Sequence, residues 1–571
     1  MVTSNGTRVS TDLPWLTANG LHTLESGYLL EGESPIGLYK RVAKAAAQCT
    51  AQPQLEPLFY EALIKNWLCL ASPVAANLGT ERGLPISCFG ISVDDSIDSI
   101  FKCIHELAMM SKNGGGVGIC LSNIRGRGYA VSNNGLSEGV IPWAKLYDTT
   151  IVSVSQGATR RGAASVNLNI NHTDYNEFMN IRRPTGDVNR QCLNLNHAVQ
   201  IPDSFMHSLE DGNETNREKW IDLLRTRIET GEPYITFSDT ANNANPQAYK
   251  QNGLTVEMTN ICSEISLYSD PEHSFVCCLS SLNLSMYDEW ADYKFSNGMT
   301  LPELAIWFLD GVMEEFIIRA AGIPGFEHSV AFAIKSRALG LGVLGWHTYL
   351  QAHELPFDTS VEVMGLNYRI FSFIKQQAEK ASQDIAAKYG EPKWCQGTGM
   401  RNTHLMALAP TVTNSIISGG VSPSIEPIAA NAYTQKTAKG TFTYKNPILE
   451  QTLERSYHNT PQVWSSIVAN EGSVQHLDFL SAQQKEIFLT AREINQFHII
   501  NQAAQRAPLV DQSQSINLFF PSNVDANWFH RLHFEAWKRG LKSLYYCRSS
   551  SVLKGDVASR YYDPSCTACE G

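Results

Sequence analysis

Segments with helical periodicity and segments with strand periodicity interleave along most of this 571-residue chain. Residues 97–112 carry apolar side chains three and four positions apart and precede three glycines, which predicts an amphipathic helix ending near Lys112. In residues 164–170 apolar and polar side chains alternate, which predicts a half-buried strand. The same reasoning predicts further helices at 36–47, 57–70, 302–321, 361–389, 483–505 and 526–539, and further strands at 193–201 and 541–547. Because no internal repeat occurs, one large α/β domain is the simplest architecture.

Charge and hydropathy exclude several classes of protein. Lys and Arg number 45 against 56 Asp and Glu, so the formal net charge is −11, which is unfavourable for non-specific binding to nucleic acid or to an anionic membrane. No apolar run reaches the roughly 18 residues that a membrane-spanning helix needs. The N-terminal residues lack a basic region followed by an apolar core, so we expect no secretory signal and a cytoplasmic protein.

The chain has 13 cysteines, an odd number scattered along the sequence. This distribution is not that of a secreted disulfide framework, and most of the thiols are expected to be reduced and buried. The question is which of them react. Each cysteine taken alone is more often a core residue than a reactive one.

The most distinctive short segment is Asn260-Ile261-Cys262-Ser263-Glu264. If it is extended, the amide, the thiol and the carboxylate point to one face. A thiol there can give a thiyl radical, and the nearby Glu264 can act as a base. The competing interpretation is a buried strand cysteine with a solvated glutamate.

A second group of candidates comprises Cys88, the adjacent pair Cys277-Cys278, and the C-terminal Cys566-Thr567-Ala568-Cys569. A C-x-x-C pair can cycle between dithiol and disulfide. As half of a zinc site it would need a second pair with ligand spacing, which adjacent cysteines do not provide. A mobile redox arm is therefore favoured over zinc, and no metal site is predicted.

Two further segments are ambiguous on residues alone. Tyr545-Tyr546 are either packing residues facing opposite ways or members of an electron relay. The hydroxyl-rich segment 410–415 is either a helix cap or a cradle for phosphate. The glycine-rich segment 111–120 lacks the spacing of a nucleotide-binding P-loop.

In their order along the chain, these segments resemble the large catalytic subunit of class I ribonucleotide reductase. The matching stretches run from about residue 55 to the C-terminus: ASPVAANLGT, SCFGISVDDSIDSIF, SKNGGGVGICLSNIRGRG, SQGATRRGAASVNLNI, NICSE, CCLSSLNL, ALAPTVTNSIISGGVSPSIEP and SLYYCR. The resemblance implies a ten-stranded α/β barrel made of two antiparallel five-stranded halves, with a finger loop through its centre. It also implies a helical N-terminal region at 1–70 without an ATP-cone, a catalytic barrel at 71–548 and a mobile redox tail at 549–571.

The resemblance assigns the catalytic roles residue by residue. Cys262 is the thiyl-radical residue that takes the 3′ hydrogen of the ribose. Glu264 is the base on the 3′ hydroxyl, and Asn260 is a hydrogen-bond partner. Cys88 and Cys277 are the dithiol that reduces the 2′ position and becomes a disulfide.

The same resemblance assigns two connections to other proteins. Tyr545 and Tyr546 are the last relay before the radical cysteine, fed by a metal-containing small subunit. Cys566 and Cys569 re-reduce the buried disulfide before thioredoxin or glutaredoxin restores the tail. The chain itself is expected to hold no permanent cofactor.

Nucleotide sites also follow from the resemblance. A ribonucleoside diphosphate is expected at Ser72, Ser87, Asn260, Glu264, Thr411, Thr413 and Ser415. A deoxynucleoside triphosphate or ATP is expected as allosteric effector at a homodimer interface, on Asp95, Ser96, Ile97, Lys112, Arg125, Gln156 and Arg160. Without an ATP-cone, we expect no shut-off by dATP.

Two rival interpretations remain. A class II enzyme makes its radical with adenosylcobalamin and needs no small subunit, but the Tyr545-Tyr546 pair favours class I. A non-catalytic nucleotide-binding subunit of the same fold would not need the five redox cysteines, Glu264 and both tyrosines. The glycyl-radical class is disfavoured because its C-terminal Arg-Val-x-Gly-Tyr-type loop is missing.

Overall fold

The computed structural model of this chain describes residues 13–133, 135–154, 162–184, 186–437, 440–521 and 523–549. Gln156, Arg160, Cys566 and Cys569 lie outside these residues. Within the described ranges, no helix is both long and apolar enough to cross a membrane.

Helices form the N-terminal region and surround the sheet. Their bounds are α1 (Ala18–Glu25), α2 (Pro35–Cys49), α3 (Glu56–Ile64), α4 (Ser72–Asn77), α5 (Ile97–Lys112), α6 (Ile141–Val154), α7 (Tyr175–Phe178), α8 (Asp203–Glu210), α9 (Glu214–Thr230), α10 (Ser238–Asn243), α11 (Gln247–Asn252), α12 (Tyr287–Trp290), α13 (Leu301–Ala320), α14 (Glu327–Ser336), α15 (Trp346–Ala352), α16 (Val361–Tyr389), α17 (Val412–Ile417), α18 (Pro447–Arg455), α19 (Pro461–Ala469), α20 (Ala482–Ile487), α21 (Gln496–Arg506) and α22 (Ala526–Lys538).

The strands are short, and most belong to one curved sheet. They are β1 (Leu68–Leu70), β2 (Cys88–Ser92), β3 (Gly116–Cys120), β4 (Ala163–Asn169), β5 (Leu195–Ile201), β6 (Tyr234–Phe237), β7 (Phe275–Asn283), β8 (Leu339–Leu344), β9 (Ala432–Thr437), β10 (Gly440–Lys445), β11 (Leu518–Phe520), β12 (Ser543–Leu544) and β13 (Cys547–Ser549).

The sheet is a barrel of two five-stranded halves. Strands β2 to β6 pair in sequence order and all run parallel. In the second half, β7 pairs in parallel with β8, and parallel bridges extend the pairing to Met406 and then from Leu408 to Gln514. The amide of Tyr545 donates to the carbonyl of Ile516, which brings β12 beside this last segment. The two halves meet antiparallel at β2–β7 and at β6–β12, so the predicted ten-stranded barrel is confirmed.

Several predicted elements match the structure closely because local signals define their ends. Helix α5 begins where Ser96 accepts a hydrogen bond from the amide of Ser99, and it ends at Lys112 before the glycines. Helix α13 begins with a capping box between Thr300 and Glu303. Helix α16 spans the predicted 361–389.

Other predictions need correction. The helix predicted at 57–70 ends at Ile64, and Leu68–Leu70 instead form a strand beside β7. The helix predicted at 483–505 is two helices, α20 and α21. The strand predicted at 541–547 is interrupted, so Tyr545 and Tyr546 lie between β12 and β13.

The strands predicted as half-buried are buried on both faces. In β4 and β5 the alternating polar side chains, including Ser165, Asn167 and Asn196, are buried although they do not belong to the apolar core. Helices cover the outer face of the sheet, and the polar residues point into the barrel, where the finger loop passes. The predicted alternation is therefore present, but its polar face lines the interior of the barrel and does not face the solvent.

Candidate active site inside the barrel

The segment around Cys262 passes through the barrel as an irregular loop. Serines of the second half hold it: the Ser515 hydroxyl donates to the carbonyl of Cys262 at 2.6 Å, and the Ser543 hydroxyl donates to that of Ser263 at 2.8 Å. On the opposite wall, a Cβ added at Gly118 would lie 2.3 Å from the carbonyl oxygen of Thr259. Only glycine allows the loop to approach β3 this closely.

The tip of this loop is a turn, so the strand-like geometry expected for residues 260–264 is wrong. The amide of Ser263 donates to the carbonyl of Asn260, and Ser263 has a φ of 65°. The amide of Ile265 donates to Asn260 Oδ1 at 3.0 Å. Asn260 thus closes the turn with its own side chain, a local competition with extended structure that asparagine favours.

The three residues of the predicted radical site still lie together at this tip. Asn260, Cys262 and Glu264 are all at most 3% exposed. Glu264 Oε2 accepts from the Ser515 hydroxyl at 3.3 Å, the same hydroxyl that binds the Cys262 carbonyl. Among the described residues, Asn260 Nδ2 has no hydrogen-bond partner. A buried amide nitrogen of this kind is suited to a ligand that brings its own acceptor.

Cys88 and Cys277 are directly opposite each other in the antiparallel pair β2–β7. Residues opposite each other in such a pair have Cα atoms about 4.5–5.5 Å apart, within the range that a disulfide spans. Both carry reduced thiols. Burial raises the pKa of Cys277 well above its ordinary value, although Gln512 donates a hydrogen bond to its sulfur at 3.3 Å. The following Cys278 points to the other face of β7.

The tyrosine pair belongs to a group of three aromatic rings beside the loop tip. The rings of Tyr545 and Tyr546 are 4.4 Å apart between centroids, and Tyr234 lies 4.7 Å and 5.0 Å from them. Tyr545, Tyr234 and Cys262 belong to one small buried cluster, against which Tyr546 packs. Adjacent tyrosines facing opposite ways would not bring their rings this close together.

The hydroxyl-rich segment begins the short helix α17, but its first hydroxyl does not cap that helix. Thr411 Oγ1 instead accepts from the amide of Ser424 at 2.7 Å and lies 3.2 Å from Ser415 Oγ. Both hydroxyls are buried, as is Thr413. Asn414 Oδ1 and Ser424 Oγ have no hydrogen-bond partner among the described residues. The simple capping interpretation is therefore disfavoured.

The two remaining substrate candidates are buried near the ends of strands. Ser72 begins α4 directly after β1, and its hydroxyl lies 2.9 Å from the hydroxyl of Tyr28. Ser87 precedes β2 and is 4% exposed. Its carbonyl accepts from the amide of Gly116 at 2.6 Å.

Of the predicted effector residues, those that the structure describes lie on and near α5, outside the barrel. Arg125 Nε and Asp95 Oδ2 form an ion pair at 2.6 Å beside Ser96, which caps the helix. Ile97 is 62% exposed. Lys112 lies at the other end of this 16-residue helix, about 24 Å away. A single chain therefore does not bring Lys112 and Asp95 together.

Comparisons with known proteins agree with this architecture. The family model described as "Ribonucleotide reductase, barrel domain" matches residues 86–217, 213–397 and 393–547, and "Ribonucleotide reductase, all-alpha domain" matches residues 14–83. The chain belongs to the ribonucleotide reductase large-subunit family.

Relatives in this ribonucleotide reductase family are similar over nearly their whole length. A protein of Frog virus 3 (isolate Goorha) is 38% identical over 541 residues, covering 91% of this chain and 93% of the relative. The ribonucleoside-diphosphate reductase large subunit of Invertebrate iridescent virus 3 is 34% identical over 634 residues, covering 97% and 98%. Among solved structures, the class Id ribonucleotide reductase alpha subunit of Actinobacillus ureae has a TM-score of 0.87 and 39% identity, covering 96% of this chain and 100% of that one.

Sequence reasoning missed several residues of this reductase site. Tyr234 lies in a short apolar strand after a Gly-Glu-Pro turn, and nothing in its neighbours indicates an aromatic group next to Cys262. Gln512 and Ser515 bind the reactive residues from a segment about 250 positions away along the chain. Only the folded barrel brings such positions together.

Proposed function

We propose that this chain is the catalytic large subunit of a ribonucleoside-diphosphate reductase that makes deoxyribonucleotides for DNA synthesis. The observation that carries the proposal is the direct register of Cys88 with Cys277 beside a buried loop that bears Cys262 and Glu264. A non-catalytic nucleotide-binding protein would have no use for a buried dithiol next to a third thiol and a carboxylate.

The proposed chemistry assigns each group one task. A thiyl radical on Cys262 takes the 3′ hydrogen of the ribose, while Glu264 takes the proton of the 3′ hydroxyl. The 2′ hydroxyl then leaves as water with a proton from the dithiol of Cys88 and Cys277. The dithiol also supplies two electrons and the hydrogen that takes the place of the hydroxyl at the 2′ carbon, and it becomes a disulfide. Cys262 returns its hydrogen to the 3′ carbon, and Glu264 returns the proton to the 3′ oxygen. Protonated thiols suit this role, and burial favours the protonated form of Cys277.

We place the diphosphate of the substrate at α17, with Thr411, Thr413 and Ser415. The buried hydroxyls in this segment support a polar ligand here, as do Asn414 Oδ1 and Ser424 Oγ, which lack a hydrogen-bond partner among the described residues. Ser72 and Ser87 are assigned to the same substrate, and the Nδ2 atom of Asn260 to a ribose hydroxyl.

A radical-generating small subunit is the proposed partner, reached through Tyr546 and Tyr545. A groove of about 930 Å³ lies between α9 and α22, and β12 follows α22 and precedes the tyrosine segment. Trp220, Ile221 and Phe534 line it, with Arg217 and Arg225 beside them. An apolar segment with acidic residues from the small subunit fits this groove.

Re-reduction and regulation complete the proposal. Cys566 and Cys569 would carry electrons from thioredoxin or glutaredoxin to the buried pair, since a bulky reductase cannot enter the barrel. Effector nucleotides would bind at Asp95 and Arg125 in a homodimer, with loop residues Gln156 and Arg160 passing on the effector's identity. The proposed regions remain 1–70, 71–548 and 549–571.

The test is CDP reduction by the purified chain with dithiothreitol and an effector nucleotide. One reaction adds a candidate small subunit and the other adds adenosylcobalamin. We expect dCDP only with the small subunit, and none from the Cys262→Ser or Tyr546→Phe variant. Activity with adenosylcobalamin alone would move the protein to class II, and unchanged activity of Tyr546→Phe would refute the relay.

A further inference from the structure

The phenolic oxygen of Tyr546 has a specific hydrogen-bond donor. Asn196 Nδ2 donates to Tyr546 Oη at 3.2 Å, and the same nitrogen donates to Glu232 Oε1. Asn196 is 8% exposed and Glu232 is 1% exposed, so the arrangement is largely shielded from water. One amide group therefore donates one hydrogen bond to a carboxylate and a second one to a tyrosine.

The neighbours of Glu232 keep it negatively charged. Its Oε2 accepts from the backbone amide of His197 at 3.0 Å and lies 3.1 Å from His197 Nδ1, while the Arg182 guanidinium is 3.6 Å from Oε1. Burial opposes ionisation, but Arg182 and the bonds from His197 hold the pKa of Glu232 below its ordinary value. An ionised carboxylate only accepts hydrogen bonds.

This charge fixes which way the Asn196 side chain faces. With its oxygen turned towards Glu232, the amide would place two acceptors against each other. The nitrogen must face the carboxylate, and its second hydrogen then faces Tyr546. We propose that Asn196, oriented by Glu232, is a positioning residue that directs the phenolic hydrogen of Tyr546 along the radical relay.

The inference rests on the relay role in the proposed function. In that relay, Tyr546 gives one hydrogen atom, an electron with its proton, to the radical of the small subunit and becomes a neutral tyrosyl radical. It regains a hydrogen atom from Tyr545, which in turn takes the one from Cys262. Because Oη accepts from Asn196 throughout, the phenolic hydrogen must point elsewhere, towards the groups that exchange it. A neutral amide can donate a hydrogen bond both to the phenol and to the tyrosyl radical. Because it carries no positive charge, it does not stabilise the phenolate.

The test compares Asn196→Leu with a matched control, Asn194→Leu. Asn194 also donates from its side chain to a carboxylate, Asp148, at 3.2 Å, and it lies outside the tyrosine group. We expect Asn196→Leu to lower kcat for CDP reduction about tenfold, the effect of losing one hydrogen bond at the reacting group. KM for CDP should match that of Asn194→Leu, and the control should retain wild-type kcat. The thermal midpoint of Asn196→Leu should fall below that of the control, because leucine leaves the buried Glu232 carboxylate without this donor.

A spectroscopic measurement separates positioning from a structural effect. With 3-aminotyrosine at position 546, mixing with small subunit, CDP and effector should trap an aminotyrosyl radical. In D₂O, we expect the radical to show a coupling to an exchangeable deuteron of the Asn196 amide. This coupling should be lost in Asn196→Leu and retained in Asn194→Leu. An unchanged coupling and unchanged kcat in Asn196→Leu would overturn the inference, whereas an active Tyr546→Phe variant would overturn the relay itself.

Discussion

At the scale of single residues, the site depends on buried polar atoms whose partners are divided between the protein and a ligand. Asn260 uses Oδ1 to close the loop tip, and its Nδ2 has no partner among the residues that the structure describes. Leaving such a group unpaired costs about 1–3 kcal/mol, which substrate binding can recover. In the proposed function, the same residue closes the loop tip and binds a ribose hydroxyl through Nδ2.

The adjacent cysteines Cys277 and Cys278 give a residue-scale prediction. Because neighbours in a strand face opposite ways, only Cys277 shares a face with Cys88. Without external reductant, prereduced enzyme with small subunit and CDP should give a burst of dCDP, which Cys277→Ser abolishes and Cys278→Ser retains. Rapid quench measures the burst. A normal burst from Cys277→Ser, or its loss in Cys278→Ser, would contradict the assigned pair.

At the scale of elements, the sequence predicts those helix ends that are determined by residues close by in the chain. The ends of α5 follow from Ser96 and the glycines after Lys112, and α16 follows from its long apolar stripe. The finger loop could not be predicted from residues 260–264, because the serines that hold it come from distant segments. Its identification as a loop came from the family resemblance, whereas its residue pattern indicated a strand.

Gly118 tests how closely the finger loop must approach the barrel wall. A methyl group in Gly118→Ala would lie 2.3 Å from the Thr259 carbonyl, so the backbone next to Asn260 must shift. We expect at least a tenfold loss of kcat and a lower thermal midpoint. The control is Gly365→Ala in α16, where an added methyl meets nothing within 4 Å and alanine favours the helix. Wild-type activity of Gly118→Ala would refute a close-fitting loop.

At the scale of the whole molecule, the predicted effector residues Asp95 and Lys112 can bind the same nucleotide only if they come from two different chains. Asp95 and Lys112 lie at opposite ends of α5, so both can face one nucleotide if two copies of α5 pack antiparallel. The exposed Ile97 and Phe101 on this helix supply an apolar surface for such packing. The family resemblance predicts these residues, but their separation appears only once the helix is built.

Mixed dimers test this arrangement. Asp95→Ala and Lys112→Ala should each weaken dTTP binding in the pure variant. When the two variants are mixed, each heterodimer regains one wild-type site if the two residues come from different chains, so about a quarter of all sites recover. Equilibrium dialysis counts the tight sites. No recovery on mixing would place both residues in one chain's site and contradict the antiparallel pairing.

Glu426 gives a pH dependence for the stability of the whole fold. Burial raises its pKa to about 7, although Arg548 and a hydrogen bond from Asn517 at 2.8 Å favour the charged form. Between pH 4.5 and 7 the folded state therefore binds this proton more tightly than the unfolded chain does, so its contribution to stability is present at low pH and falls as the pH rises to 7.

The variant Glu426→Gln cannot lose this proton. Its stability relative to wild type should therefore increase from pH 5 to pH 7 and level off above that, by on the order of 3 kcal/mol in total. Thermal midpoints across pH 5–8 measure the difference, with the exposed Glu486→Gln as a control that should follow wild type. A constant offset between Glu426→Gln and wild type would show that Glu426 does not titrate in this range. The opposite slope would mean that Arg548 and Asn517 outweigh burial and keep the carboxylate charged in the folded protein.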